Sequence, residues 1–474
     1  MEDSTTLILV GLIALAFVGS HFLHRSAERW GLVSGIEYAL VGVMIGPVSP
    51  FGDLVTDDML QSLDLLISLL LGLLGFMVGL HARQALREFE HFLAGSMAAV
   101  IVAVVVGLSC LGLVQFIDPS YLSVEDPIVE YAVYADDASI YEVWAAEDAL
   151  WLALTLGAAA AIASSTAIAA TVKRWRAEGP PVDLLRNLAI AGQVVAIILF
   201  GVALSGDRAV DEASRFDWSL VEWSFWITVA GALTGLLFTV YIRNDEDDDL
   251  RLFLTTVGVV IFAAGIGAAL GVSPLFVNLV AGLMVAATSV HRDRLRTKLQ
   301  ALVHPVSVLI MVFAGIAWRP ISGWMWLIPL AYLLTRVAAQ LFASRFAVSA
   351  FVHGVELRSV GGGLIGQGAL AAAIALSYAQ GHPERGPIVL STVLVSMLVT
   401  DIIGGQTLRR VLANAGAIRP RAQLEDEDEA AEAEDAAHSG HGGHEPEHEA
   451  ETAAPSEESG AAEPSTSEED DHGH

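Results

Sequence analysis

The chain has 474 residues, 54% of them hydrophobic, with a mean hydropathy of +0.57. Many windows exceed the ~18 apolar residues that cross about 30 Å of hydrocarbon, which excludes a soluble globule and points to a polytopic membrane protein. The formal charge of −29 is unevenly spread, because residues 422–474 hold 19 of the 54 acids and none of the 25 bases. We therefore expect a membrane domain over 1–421 and an acidic, His-rich cytoplasmic tail over 422–474, with no periodic apolar face and hence disordered.

Thirteen spans are expected, at 5–24, 33–49, 60–80, 93–117, 150–172, 184–205, 220–242, 251–271, 274–290, 302–318, 323–343, 360–379 and 387–408. The first lacks the basic start and small-residue cleavage site of a signal peptide, so it reads as a retained helix. The lone cysteine, Cys110, excludes an internal disulfide and reads as a packing residue within a span. Of the 25 bases, 20 fall in one alternating set of connections and four in the other, with Arg336 left inside a span. Positive charge favours the cytoplasmic side. This places the N-terminus outside and the C-terminus in the cytoplasm, in a multi-pass protein of the cell (inner) membrane. The acids at 118–147 and 51–64 read as solvated outer loops or as a cation-concentrating vestibule. The acidic run Asn244–Asp249 reads as a linker.

Spans one to six and eight to thirteen overlay with the seventh between them. Six-span units that enter from opposite sides are inverted repeats. In that overlay the fifth span matches the twelfth. The fifth carries Ser164, Ser165 and Thr166 in its middle. The twelfth has five glycines in the eight residues Gly361–Gly368, with Gln367 among them, and glycine weakens a helix. The sixth carries Gly192 and Gln193 and, beyond Arg186 at its start, no ionisable residue. Polar atoms in apolar spans are costly unless they face a cavity or another helix. Ser164, Ser165, Thr166, Gln193, Gly366 and Gln367 are thus the candidate ion pathway. The plainer alternative for the glycines is close helix packing.

Exchange of a cation for a proton needs a titratable group whose two occupancies exclude each other. Asp64, Asp148 and Glu222 stand at span starts and Asp401 near a cytoplasmic end, and all four read as interfacial caps. Asp64 and Asp148, at outer mouths, are the acids best placed to titrate. Arg336 is the clear mid-span charge. It is expected to snorkel toward the cytoplasm, to pair with broken-helix carbonyls, or to attract an anion. In the tail, His438, His441, His444 and His448 suit weak Zn²⁺ or Ni²⁺ binding or pH sensing, or simply a solubilising segment.

Several motifs carry a resemblance. Leu40-Val41-Gly42-Val43-Met44-Ile45-Gly46-Pro47, Leu73-Leu74-Gly75-Phe76-Met77-Val78-Gly79-Leu80, Ser164-Ser165-Thr166-Ala167, Ser273-Pro274 with Ala281-Gly282-Leu283, and Thr400-Asp401-Ile402-Ile403-Gly404 followed by Arg409-Arg410 occur in the order of the expected spans. Through them the chain resembles, over about residues 5–415, the monovalent cation:proton antiporter superfamily of sodium/hydrogen exchanger type. The resemblance implies an all-α fold of about thirteen spans, with two inverted six-helix repeats and crossed broken helices. It implies a dimerisation domain and a core that moves like an elevator. It also implies a homodimer in a lipid bilayer, with Na⁺ or K⁺ and protons as substrates. It places a carboxylate on the sixth span, where this chain has Gln193 or Val194, and aligns Gln367 with an arginine of many exchangers. Three functions stay open: a cation transporter coupled to protons through a peripheral acid, an uncoupled cation pathway, and a non-transporting sensor or regulatory relative. No enzyme, cofactor or nucleic-acid partner is expected.

Overall fold

A computed structural model describes residues 35–47, 63–116, 146–210, 218–242, 249–289, 292–321, 323–353 and 359–418. The first expected span, the long outer loop, most of the Asn244–Asp249 linker and the tail with its four histidines lie outside the described residues. The helices are α1 (Ile36–Ile45), α2 (Asp64–Arg87), α3 (Phe89–Phe116), α4 (Ala146–Ala161), α5 (Ser165–Trp175), α6 (Pro180–Val210) and α7 (Leu220–Ile242). They continue with α8 (Asp249–Leu270), α9 (Pro274–Thr288), α10 (Arg292–Ile316), α11 (Leu327–Phe351), α12 (Val360–Gly363), α13 (Ala369–Gly381) and α14 (Gly386–Asn414).

Nine stretches among the described residues are helical, long and apolar enough to cross a membrane, and three shorter apolar helices join them. The second to thirteenth expected spans each find a counterpart. Two of them differ from an uninterrupted span: α4 and α5 share the fifth, and α12 and α13 share the twelfth. Large apolar side chains such as Phe225, Leu237, Phe262 and Phe342 stand exposed on α7, α8 and α11. An exposed apolar belt of this kind is where lipid would lie.

Contacts sort the helices into two groups. In one, α2 packs chiefly on α9, α1 on α10, and α7 and α8 on α9. Glycine allows these backbones to touch. A Cβ on Gly75 would fall 2.2 Å from the Leu275 carbonyl, and one on Gly42 would fall 2.1 Å from that of Val312. Small residues at helix crossings of this kind supply van der Waals contact where lipid removes the hydrophobic incentive. In the other group α3 packs on α4, α6 and α11, while α14 packs on α11, α12 and α13. The interrupted spans lie in this second group.

Candidate functional site

The first interruption follows Ala161. Residues 162–164 leave the helix, and Ser164 caps α5 by accepting from the Ala167 N–H at 3.1 Å. Serine is among the preferred N-caps because its oxygen satisfies an otherwise orphaned amide. The second interruption is broader. After the single turn of α12, residues 364–368 are non-helical before α13 begins.

The two breaks cross and touch. The Ser164 N–H donates to the Gly366 carbonyl at 2.9 Å. A Cβ on Gly368 would sit 2.7 Å from Ser164 Oγ, so any larger residue there would force the two breaks to shift. The glycines of the twelfth span allow close approach at two places. Gly361 packs closely against Leu341 on α11, and Gly366 and Gly368 make the crossing.

Interrupting two helices in a membrane frees carbonyls that need donors. Arg336 on α11 supplies donors to three of them. It is fully buried. Its Nε donates to Ala160 O at 3.1 Å, Nη2 to Ile162 O at 2.9 Å and Nη1 to Ile365 O at 2.7 Å. One guanidinium therefore ties the C-terminal end of α4 to the second break. A cation is favoured there by the partial negative charge of a helix C-terminus. Snorkelling is excluded by this burial, and pairing with broken-helix carbonyls is what the geometry gives.

The two glutamines do related work. Gln367 donates from Nε2 to Ala159 O at 3.2 Å and to the Tyr332 hydroxyl at 2.9 Å. Tyr332 is itself fully buried, one helical turn before Arg336. Gln193 on α6 donates to Ala163 O and to Ser165 Oγ, each at 3.0 Å. Their amide nitrogens thus brace the crossing. The Ser164 and Thr166 hydroxyls lie 3.0 Å apart.

Against this crossing lies a cavity of about 10 Å³, room for roughly one water-sized body. Ser164, Thr171, Gly363, Gly366 and Gly404 line it, and so does Asp401. Asp401 is not an interfacial cap. It is the sixteenth of the 29 residues of α14, and it is only 2% exposed. It also lies within electrostatic range of Arg336. Its position was obscured because α14 runs on to Asn414, beyond the expected end at 408. The legible signal was Gly404-Gly405, one turn later, which leaves room beside the carboxylate.

The other expected acids do not join this site. Asp64 is exposed as the first residue of α2, where Gln380 donates to its carboxylate at 3.1 Å. Asp148 falls in the first turn of α4. Glu222 does cap its helix, accepting from the Ser219 N–H and hydroxyl at 2.9 and 2.8 Å. Among the described residues no cluster of three His, Cys, Asp or Glu side chains suits a metal ion.

The family model for the transmembrane domain of sodium/hydrogen exchangers matches residues 12–414. Among solved structures, the chain is similar to the sodium/proton antiporter MjNhaP1 of Methanocaldococcus jannaschii at pH 8. That match has 13% identity and a TM-score of 0.58, and it covers 86% of this chain and 99% of that one. An electron-microscopy map of the same antiporter gives 15% identity, a TM-score of 0.57, and coverage of 88% and 99%. No curated protein matches in sequence. Identities this low speak for the fold alone. The family model spans most of the chain, and with it the crossing, Arg336 and Asp401: the protein is a multi-pass membrane protein and belongs to the sodium/hydrogen exchanger family.

Proposed function

We propose that the protein exchanges a monovalent cation, Na⁺ or K⁺, for protons across the membrane, with the ion held at the crossing of the two interrupted spans. The observation that carries this reading is the contact between the breaks, Ser164 N–H to Gly366 O, beside a cavity with room for one dehydrated ion. Ser164 and Thr171 line that cavity, and hydroxyl oxygens suit a hard monovalent cation. The half-helix ends and the fixed guanidinium of Arg336 make the site a rigid body that can move as a unit. An N-terminus outside and a C-terminus in the cytoplasm follow from the asymmetry of basic residues. The homodimer and the sliding of a core group against a dimerisation group come from the family resemblance.

The test is cation-driven proton movement in proteoliposomes loaded with a pH-sensitive dye. Pulses of Na⁺ and K⁺ should alkalinise or acidify the lumen in the direction opposite to cation flux. Cation flux without any proton movement would replace this reading by an uncoupled pathway. Silence beside a working antiporter reconstituted in parallel would leave ion sensing.

A further inference from the structure

We infer that Asp401, on the last helix, is the carboxylate at which cation and proton exclude each other, in place of the sixth-span acid that this chain lacks; this rests on the antiport reading above. The sixth span offers nothing titratable between Arg186 and Asp207. Gln193 stands there instead, and its amide is engaged with Ala163 and Ser165. Among the described residues only three Asp, Glu, Lys or Arg side chains are buried: Glu37, Arg336 and Asp401. Glu37 stands in the first turn of α1, which packs mainly on α10, away from the interrupted spans. Asp401 alone among the acids lines the cavity at the crossing.

The chemistry fits that cavity. A deprotonated Asp401 supplies the negative charge that the neutral oxygens of Ser164 and Thr171 cannot, and the site then binds a monovalent cation stripped of most of its water. A proton on the same carboxylate removes that charge and releases the cation. One carboxylate carries one proton or one cation, so the exchange is one for one.

The charged surroundings are sparse. Of the elements packed on α14, α11 faces Asp401 with Arg336. Neither break contributes an ionisable group, and α13 holds only Tyr378. The remaining ionisable residues on these elements are Tyr332 and Arg345 on α11, Glu37 and Tyr38 on α1, Glu147 and Asp148 at the start of α4, Lys173 and Arg174 in the last turn of α5, and Arg409 and Arg410 on α14 itself. Arg336 is already bound to three carbonyls, so it acts on Asp401 through space.

The experiment compares wild type, Asp401→Asn and Asp401→Glu in full-length protein. It reads cation-driven proton flux in liposomes and cation-induced shifts of melting temperature in detergent across pH. Wild type should show a cation-induced stabilisation that grows as pH rises. Asp401→Asn should melt cooperatively, exchange no faster than empty liposomes, and lose the pH dependence of that shift. Asp401→Glu should keep exchange with a displaced pH profile. If wild type exchanges and Asp401→Asn does so with the same pH profile, the assignment to Asp401 falls while the antiport reading stands. If Asp401→Asn does not fold, an Asp401→Glu profile superimposable on wild type has the same consequence. If wild type itself exchanges nothing, the antiport reading fails and takes this assignment with it.

Discussion

The two interrupted spans reach one crossing by opposite means. The second is broken by its own composition: three consecutive glycines make a single turn, and Gly366 and Gly368 follow in the non-helical stretch. The first is alanine-rich on the approach, and Ala158–Ala163 contains no glycine or proline. Local propensity would carry that helix on. It stops because partners on three other elements take its carbonyls: Gln367 at Ala159, Arg336 at Ala160 and Ile162, and Gln193 at Ala163. One break is written locally and the other is imposed from a distance. The first should therefore be the more vulnerable to substitutions outside its own sequence.

Arg336→Met is the severest way to break that comparison. It removes three charge-assisted hydrogen bonds and leaves the buried Asp401 without its nearby opposite charge. Losing one partner of a buried charged set costs about 3–5 kcal/mol, a large share of the whole stability of a folded domain. The expected outcome is a sharply lower melting temperature in detergent and no exchange. Arg336→Lys should recover only part of both, because an ammonium lacks the planar fork that reaches Ala160, Ile162 and Ile365 together. A Met variant that melts like wild type would mean that the first break holds without its remote donors.

This contrast also explains what could be read from residues alone. The second break was legible because glycine density is a local signal, and Ser164 was legible as a polar residue in an apolar span. Arg336, Gln193 and Gln367 were recognisable as anomalies for the same reason. What they do was not, since a donor 176 positions from its acceptor, as Arg336 is from Ala160, leaves no trace in spacing. Asp401 was misplaced for a related reason. Depth in the membrane depends on where a helix ends, and α14 continues past its apolar stretch through Arg409 and Arg410. Arg409 lies over the Trp175 ring at 4.3 Å, a contact that helps carry the helix onward.

Gly368→Ala probes the locally written break. The new methyl would meet Ser164 Oγ at 2.7 Å, closer than van der Waals contact allows. Overpacking of this kind costs about 1–3 kcal/mol. Separation of the breaks should also lengthen the Ser164 N–H to Gly366 O bond. The expected result is a modest fall in melting temperature with a larger loss of exchange, measured on the same preparation. Equal losses, or exchange untouched, would show that close contact at the crossing is a packing feature only.

Ser164 is the smallest test and separates two roles held by one hydroxyl. As the cap of α5 it accepts from Ala167, and as a lining group of the cavity it offers an oxygen beside Asp401. Replacing a serine cap by alanine costs about 1 kcal/mol, whereas replacement by glycine costs only a few tenths. Stability should therefore fall more for Ser164→Ala than for Ser164→Gly. Cation affinity, read as the concentration giving half-maximal proton flux, should weaken to the same extent in both, because each deletes the same oxygen. If affinity instead tracks stability across the pair, the hydroxyl acts on the ion only by shaping the half-helix, and the cavity draws its neutral oxygens from Thr171 and the backbone.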